Sequence, residues 1–246
     1  MTQSRPMTLL MTRPSQVAEA FVNGLQEDLP DLNVVYSPVM KIVPTAIPNP
    51  MGANGLVFTS QNAVRLFADG SLRRDLPAYC VGERTTLVAR SFGMISTQVG
   101  HNAETLISNL PGRNPPTPLL HVRGTPSIGD VALRLSNAGV MCREQEIYRQ
   151  EPLPLSDAAA QALDSNHLIL LPIFSPRSSK LVSERVQDAL APLIIAYMSP
   201  AVRDAWTGPA PLAEAVATRP EAVALRQALL GAIATVDQLE GDPEQL

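Results

Sequence analysis

Lysine is nearly absent from this chain: of 19 basic residues in 246, only Lys41 and Lys180 are lysine. Histidine occurs three times (His101, His121, His167) and cysteine twice (Cys80, Cys142). The cysteines carry no CxxC spacing and the histidines do not pair at metal spacing. A disulfide framework and a zinc site are therefore excluded, and no metal is expected. Long apolar runs are missing too. Runs such as residues 168–171 and 193–197 are far short of the ~20 needed to cross a bilayer. No basic stretch leads into an apolar segment of signal-peptide length, so a cytoplasmic protein with no membrane partner is expected. Nucleotide-binding turns are lacking as well. There is no GxGxxG, and the GxxxxG of Gly124 to Gly129 is followed by Asp130 where a P-loop needs lysine. With a net charge of −4, no nucleic-acid partner is expected either.

What remains is apolar material and rhythm. A hydrophobic fraction of 45% is ample for a core and excludes a disordered chain. Residues 7–11 read as a strand, Thr12-Arg13-Pro14-Ser15 as its turn with Ser15 as N-cap, and the stripe Ala18, Phe21, Val22, Leu25 as a helix ending near Pro30. Residues 33–36 start the next strand. The pattern of strand, small polar turn and helix recurs at 56–58 with Thr59-Ser60, at 78–81 with Gly82-Glu83-Arg84-Thr85, and at 119–122 with Arg123-Gly124. It returns at 167–173 with Phe174-Ser175-Pro176 and at 193–198 with Ser199-Pro200. This is a flavodoxin-like or Rossmann-like parallel α/β plan, which places ligands at the carboxyl ends of strands.

Two proline-marked extended segments interrupt the rhythm, and the domain reading follows from them. Residues 1–36 and 152–236 form one discontinuous α/β domain, 52–139 an inserted second one, 37–51 and 140–151 linker strands, and 237–246 an acidic tail. The halves also match piecewise. Phe58-Thr59-Ser60 faces Phe174-Ser175-Pro176, Gly82 to Thr85 faces Ser199 to Val202, and Asn102-Ala103-Glu104 faces Pro220-Glu221-Ala222. Two copies of one α/β half would give this match, and so would the turn chemistry common to all α/β units.

Seven of these pieces, taken in order, carry a resemblance. They are Thr12-Arg13-Pro14, Phe58-Thr59-Ser60, Val81 to Thr85, Asn102-Ala103-Glu104, Arg123-Gly124, Ile147-Tyr148-Arg149 and Phe174-Ser175-Pro176. From about residue 9 to about residue 233 the chain resembles the uroporphyrinogen-III synthase family. The resemblance implies two α/β domains joined by a two-stranded β ladder. It also implies a cofactor-free, monomeric enzyme that closes the linear tetrapyrrole hydroxymethylbilane to uroporphyrinogen III, with loss of water and inversion of ring D. It admits a transient handover from hydroxymethylbilane synthase. A catalytically degenerate paralogue that binds a ligand or regulates is the alternative.

The scarcity of lysine fits an octacarboxylate substrate. Turns from strand to helix offer free backbone N–H groups to anions, and small residues there let a carboxylate approach. Tyr148 matches the family's tyrosine that has been viewed as an acid for the departing hydroxyl; packing at the hinge is the other reading. Thr85 matches the threonine of the turn opened by Gly82, with a helix cap as its other reading. Ser199 stands where the family often has glycine, and Val202 faces Thr85, so the second turn has lost a hydroxyl. Thr12 and Arg13 are candidates at the first turn, where Arg13 could pair bidentately with a propionate. Ser60 and Ser175 are caps that also contact ligand. Arg123 and Gly124 complete the set, and the histidines are left as structural.

Overall fold

The computed structural model describes residues 5–127 and 129–241. The chain opens with β1 (Met7–Met11), α1 (Ser15–Asp28), β2 (Asn33–Tyr36) and β3 (Met40–Pro44). It continues through β4 (Gly55–Phe58), α2 (Gln61–Gly70), β5 (Ala78–Val81), α3 (Glu83–Ser91), β6 (Ser96–Gly100) and α4 (Ala103–Asn109). Next come β7 (Leu119–Thr125), α5 (Val131–Asn137), β8 (Cys142–Pro152), α6 (Asp157–Leu163) and β9 (Leu168–Ile173). It ends with α7 (Pro176–Arg185), β10 (Leu193–Tyr197), α8 (Pro200–Asp204), β11 (Ala213–Val216) and α9 (Ala222–Gly241).

These elements form two compact units, residues 1–41 with 152–246 and residues 42–151. The first holds a five-stranded sheet in the order β11-β10-β9-β1-β2, with parallel pairing throughout. Its strands β9 and β10 are buried along their whole length, as expected of a parallel sheet covered on both faces. The second unit's sheet runs β3-β8-β7-β4-β5-β6, parallel from β8 to β6. Its two faces carry separate cores, one around Phe58, Phe67 and Leu120, the other around Val57, Leu106 and Leu135. β3 and β8 are neighbours, and β8 also pairs with β7.

The two parallel sheets share one spatial order. Laying β6-β5-β4-β7-β8 over β11-β10-β9-β1-β2 matches them strand for strand, and it sets Ser60 opposite Ser175 and Gly82 opposite Ser199. The halves thus share a sheet plan that the chain enters at different points.

Several local expectations change. Pro14, not Ser15, is the N-cap of α1, and no side chain caps it. β7 runs on to Thr125, so Arg123 and Gly124 are strand residues and the turn begins at Pro126. β6, β11 and α6 have no counterpart in the sequence reading, because each is short and only partly buried. The expected acidic tail begins too early. Residues 237–241 continue α9, whose buried stripe Leu225, Leu229, Ala232, Ile233, Val236 keeps helical period past the predicted end. Residues 242–246 lie outside the described residues. Among the described residues no helix is long and apolar enough to cross a membrane, and no cluster of side chains could hold a metal ion.

Candidate active site

In each parallel sheet the chain leaves a central strand in both directions, and ligands of open α/β folds bind beyond the strand ends at that switch point. In the second unit it lies between β4 and β7. Two hydroxyl residues, Thr59 and Ser60, follow β4 before α2. Ser60 is the N-cap of α2, its Oγ accepting from Asn62 N at 3.1 Å. Tyr148, on β8, reaches the same atom, and its Oη donates to Ser60 Oγ at 3.0 Å.

Tyr148 is only 2% exposed. Burial raises its phenol above the ordinary value, against the opposing effect of Ser60 and Gln150. Gly124 makes this placement possible. It is the register partner of Tyr148 across a bulge in the β7–β8 pairing, and a Cβ there would lie 2.2 Å from Tyr148 Cε2 and Cζ. What this position needs is space for a ring, since the backbone of Gly124 is not among those with positive φ.

Beside Ser60 in the chain, Thr59 Oγ1 and His121 Nε2 are 3.2 Å apart. His121 is fully buried, and burial lowers its pKa to about 4, so it holds this contact as the neutral ring. Sequence reasoning missed the pair. Its one signal was a histidine inside the otherwise apolar run of β7.

Arg123 is occupied. Its Nη2 donates to Glu144 Oε1 at 2.7 Å, and Glu146 lies 3.9 Å from Nη1. The Glu144 bond raises the arginine's pKa, and Arg123 lowers that of Glu144. As placed, Arg123 orders β7 against β8.

Gly82 begins α3 with φ +75° and ψ 152°, a conformation open almost only to glycine. Its N–H donates to Gly100 O at 2.7 Å, pinning the turn to β6. Thr85 is buried in the first turn of α3, where the N-cap is Gly82; the back-bond to Gly82 O comes from Thr86 Oγ1.

In the first unit the switch point lies between β1 and β9. Thr12 is 3% exposed with its Oγ1 unpartnered, and the Arg13 guanidinium lies 4.5 Å from the centre of the Phe174 ring. Ser175 closes a capping box on α7 with Ser178, so its hydroxyl is consumed by its own helix. Ser199 is the N-cap of α8 without a side-chain cap bond. The structure thus brings Ser60, Gly124 and Tyr148 into one constellation and Thr12, Arg13 and Ser175 to another switch point. Arg123 it commits to Glu144.

A curated uroporphyrinogen-III synthase of Chlorobaculum parvum is 26% identical over 200 residues, covering 73% of this chain and 79% of that protein. The crystal structure of the Helicobacter pylori uroporphyrinogen-III synthetase superposes with a TM-score of 0.63 at 13% identity, covering 92% of this chain and 99% of that one. A mutant uroporphyrinogen III synthase of Thermus thermophilus gives 0.55 at 13% identity, covering 93% and 99%. At such identity the likeness is one of fold. The family described as Uroporphyrinogen-III synthase HemD matches residues 23–227, a stretch that takes in every strand but β1, and the chain belongs to that family.

Proposed function

We propose that this chain closes hydroxymethylbilane to uroporphyrinogen III, and that the Tyr148–Ser60 pair supplies the hydroxyl chemistry of that step. Family membership over residues 23–227 carries the reading of the reaction. The geometry supports it in kind. Loss of the bilane's hydroxyl needs a hydrogen-bond donor at the departing oxygen, and a hydroxyl pair at the switch point of a parallel sheet is suited to that task. The substrate's carboxylates need donors that tolerate close approach. The Gly82 turn with Thr85, the Thr12-Arg13 turn, Ser175 and Ser199 are the contacts proposed for them, using backbone N–H groups at the starts of their helices. Arg123 and Gly124 act behind these contacts, one fixing β7 to β8 and the other seating the tyrosine. The working form is proposed to be a cytoplasmic monomer that takes its substrate from hydroxymethylbilane synthase.

The test is direct. Purified protein supplied with freshly generated hydroxymethylbilane is expected to yield mainly the type III isomer. Type I product alone, at the spontaneous rate, overturns the proposal.

A further inference from the structure

Three observations bear on which member of the hydroxyl pair meets the substrate. Tyr148 is 98% covered, its ring is wedged against Gly124, and its one phenolic proton is spent on Ser60 Oγ. Ser60 is half-buried at the mouth of α2. Its Oγ already accepts two hydrogen bonds, from Tyr148 Oη–H and from Asn62 N–H. A serine oxygen that accepts twice is left with its own proton as the outward-facing group. Donors bound to that oxygen also polarise the O–H, because hydrogen bonds in a chain reinforce one another.

The matching serine of the other unit is a built-in control. Ser175 occupies the equivalent turn, yet its Oγ is 2.8 Å from Ser178 Oγ and accepts from Ser178 N. That hydroxyl closes its own capping box. At Ser60 the third helical residue is Ala63, which has no side-chain group to close a box. The place of the box is taken by a tyrosine 88 positions away in the chain.

We infer that Ser60 is the catalytic hydroxyl that donates to the departing oxygen of the bilane, and that Tyr148 is a positioning residue acting through it. This rests on the synthase reading above. The donated bond weakens the breaking C–O bond, and the hydroxyl leaves as the pyrrole nitrogen supplies its electron pair. Ser60 delivers its proton to the leaving oxygen, forming water, while Tyr148 keeps its own proton and holds the Ser60 oxygen by its hydrogen bond. Ser60 regains its proton when the new ring sheds one on closure.

The experiment compares single-turnover closure by wild type, Ser60→Ala, Ser60→Thr, Ser60→Asp, Tyr148→Phe and the Ser60→Ala/Tyr148→Phe double variant. Urea midpoints confirm folding of each. Aspartate at 60 still accepts from Asn62 and Tyr148 but has no proton to give at neutral pH, so it separates capping from donation. Expected are a fall in kcat of about 100-fold for Ser60→Ala, as for one lost transition-state donor, and a similar or larger loss for folded Ser60→Asp. KM should change little, Ser60→Thr should recover most activity, and the double variant should match Ser60→Ala alone. Tyr148→Phe should lower kcat without altering the shape of the pH profile. Wild-type turnover by Ser60→Ala or Ser60→Asp overturns the serine's role while leaving the synthase reading intact. So does a double variant whose losses multiply, or an alkaline limb that disappears with Tyr148→Phe. A wild type that forms only the type I isomer removes both.

Discussion

Gly124→Ala is the sharpest perturbation the structure offers, because it adds one carbon and changes no polar group. The new Cβ would lie 2.2 Å from two atoms of the Tyr148 ring and 2.6 Å from a third. Carbon–carbon contacts settle near ~3.5–4 Å, so the ring must retreat by more than about 1 Å. That retreat breaks its 3.0 Å bond to Ser60. Forcing a group into a packed interior costs about 1–3 kcal/mol, and the lost hydrogen bond a further ~0.5–1.5 kcal/mol. The expected destabilisation is therefore ~2–4 kcal/mol, seen as a fall in Tm of roughly 5–15 °C. Gly112, whose added Cβ would meet nothing within 4 Å, serves as the control. Its alanine variant should stay within ~0.5 kcal/mol of wild type. Combining Gly124→Ala with Tyr148→Leu removes the clashing ring atoms. The two changes should then be non-additive, with the double variant within about 1 kcal/mol of Tyr148→Leu alone. The assays are urea unfolding followed by circular dichroism and the ratio of type III to type I product. A Gly124→Ala protein with wild-type midpoint and wild-type isomer ratio would refute the packing argument.

Two further outcomes concern groups the chemistry does not touch directly. Burial holds the folded pKa of His121 at about 4, below its ordinary 6.5. As pH falls, the unfolded chain takes up this proton first, so stability is full above about pH 6.5 and declines towards pH 4. The decline from this residue is roughly 3 kcal/mol at most, and His121→Gln should flatten that part of a stability–pH curve. Superimposable curves would show that His121 does not titrate as placed. Burial also pushes the Cys80 thiol up to about 12 and the Cys142 thiol to about 11. Neither should react with an aromatic disulfide reagent at pH 8 until urea unfolds the protein, when both should; rapid labelling in native buffer would contradict this.

Much of the fold, and of where its strand-end turns fall, was legible in the sequence. The strand–turn–helix alternation is written in local signals: apolar runs, small polar turns and a proline or serine at the first helical turn. Each of these acts within a few residues. So the sequence alone identified the parallel α/β class, the turns after β4, β5, β9 and β10, and the small hydroxyl residues in them. Local signals weaken where an element is short and half-exposed, which is why β6 and β11 went unread. They also mislead where a strand end is held by its neighbour. β7 continues through Arg123 and Gly124 because β8 pairs with it as far as Thr125, and nothing in those two residues announces a partner more than twenty positions away.

The sequence by itself thus determined which residues were available; only the tertiary structure decided which of them meet. Tyr148 and Ser60 read as one family tyrosine and one helix cap, and became a pair because β8 and β4 flank β7 in the sheet. Gly124 read as a turn glycine and is the space for a ring. Arg123 read as a candidate ligand for carboxylates and is found paired with Glu144. His121 read as structural and holds Thr59. The physical reason is the same in every case. Backbone propensity and hydrophobic period are properties of neighbours in sequence, whereas a hydroxyl's partner is set by sheet order and register, which bring together residues that the chain keeps far apart.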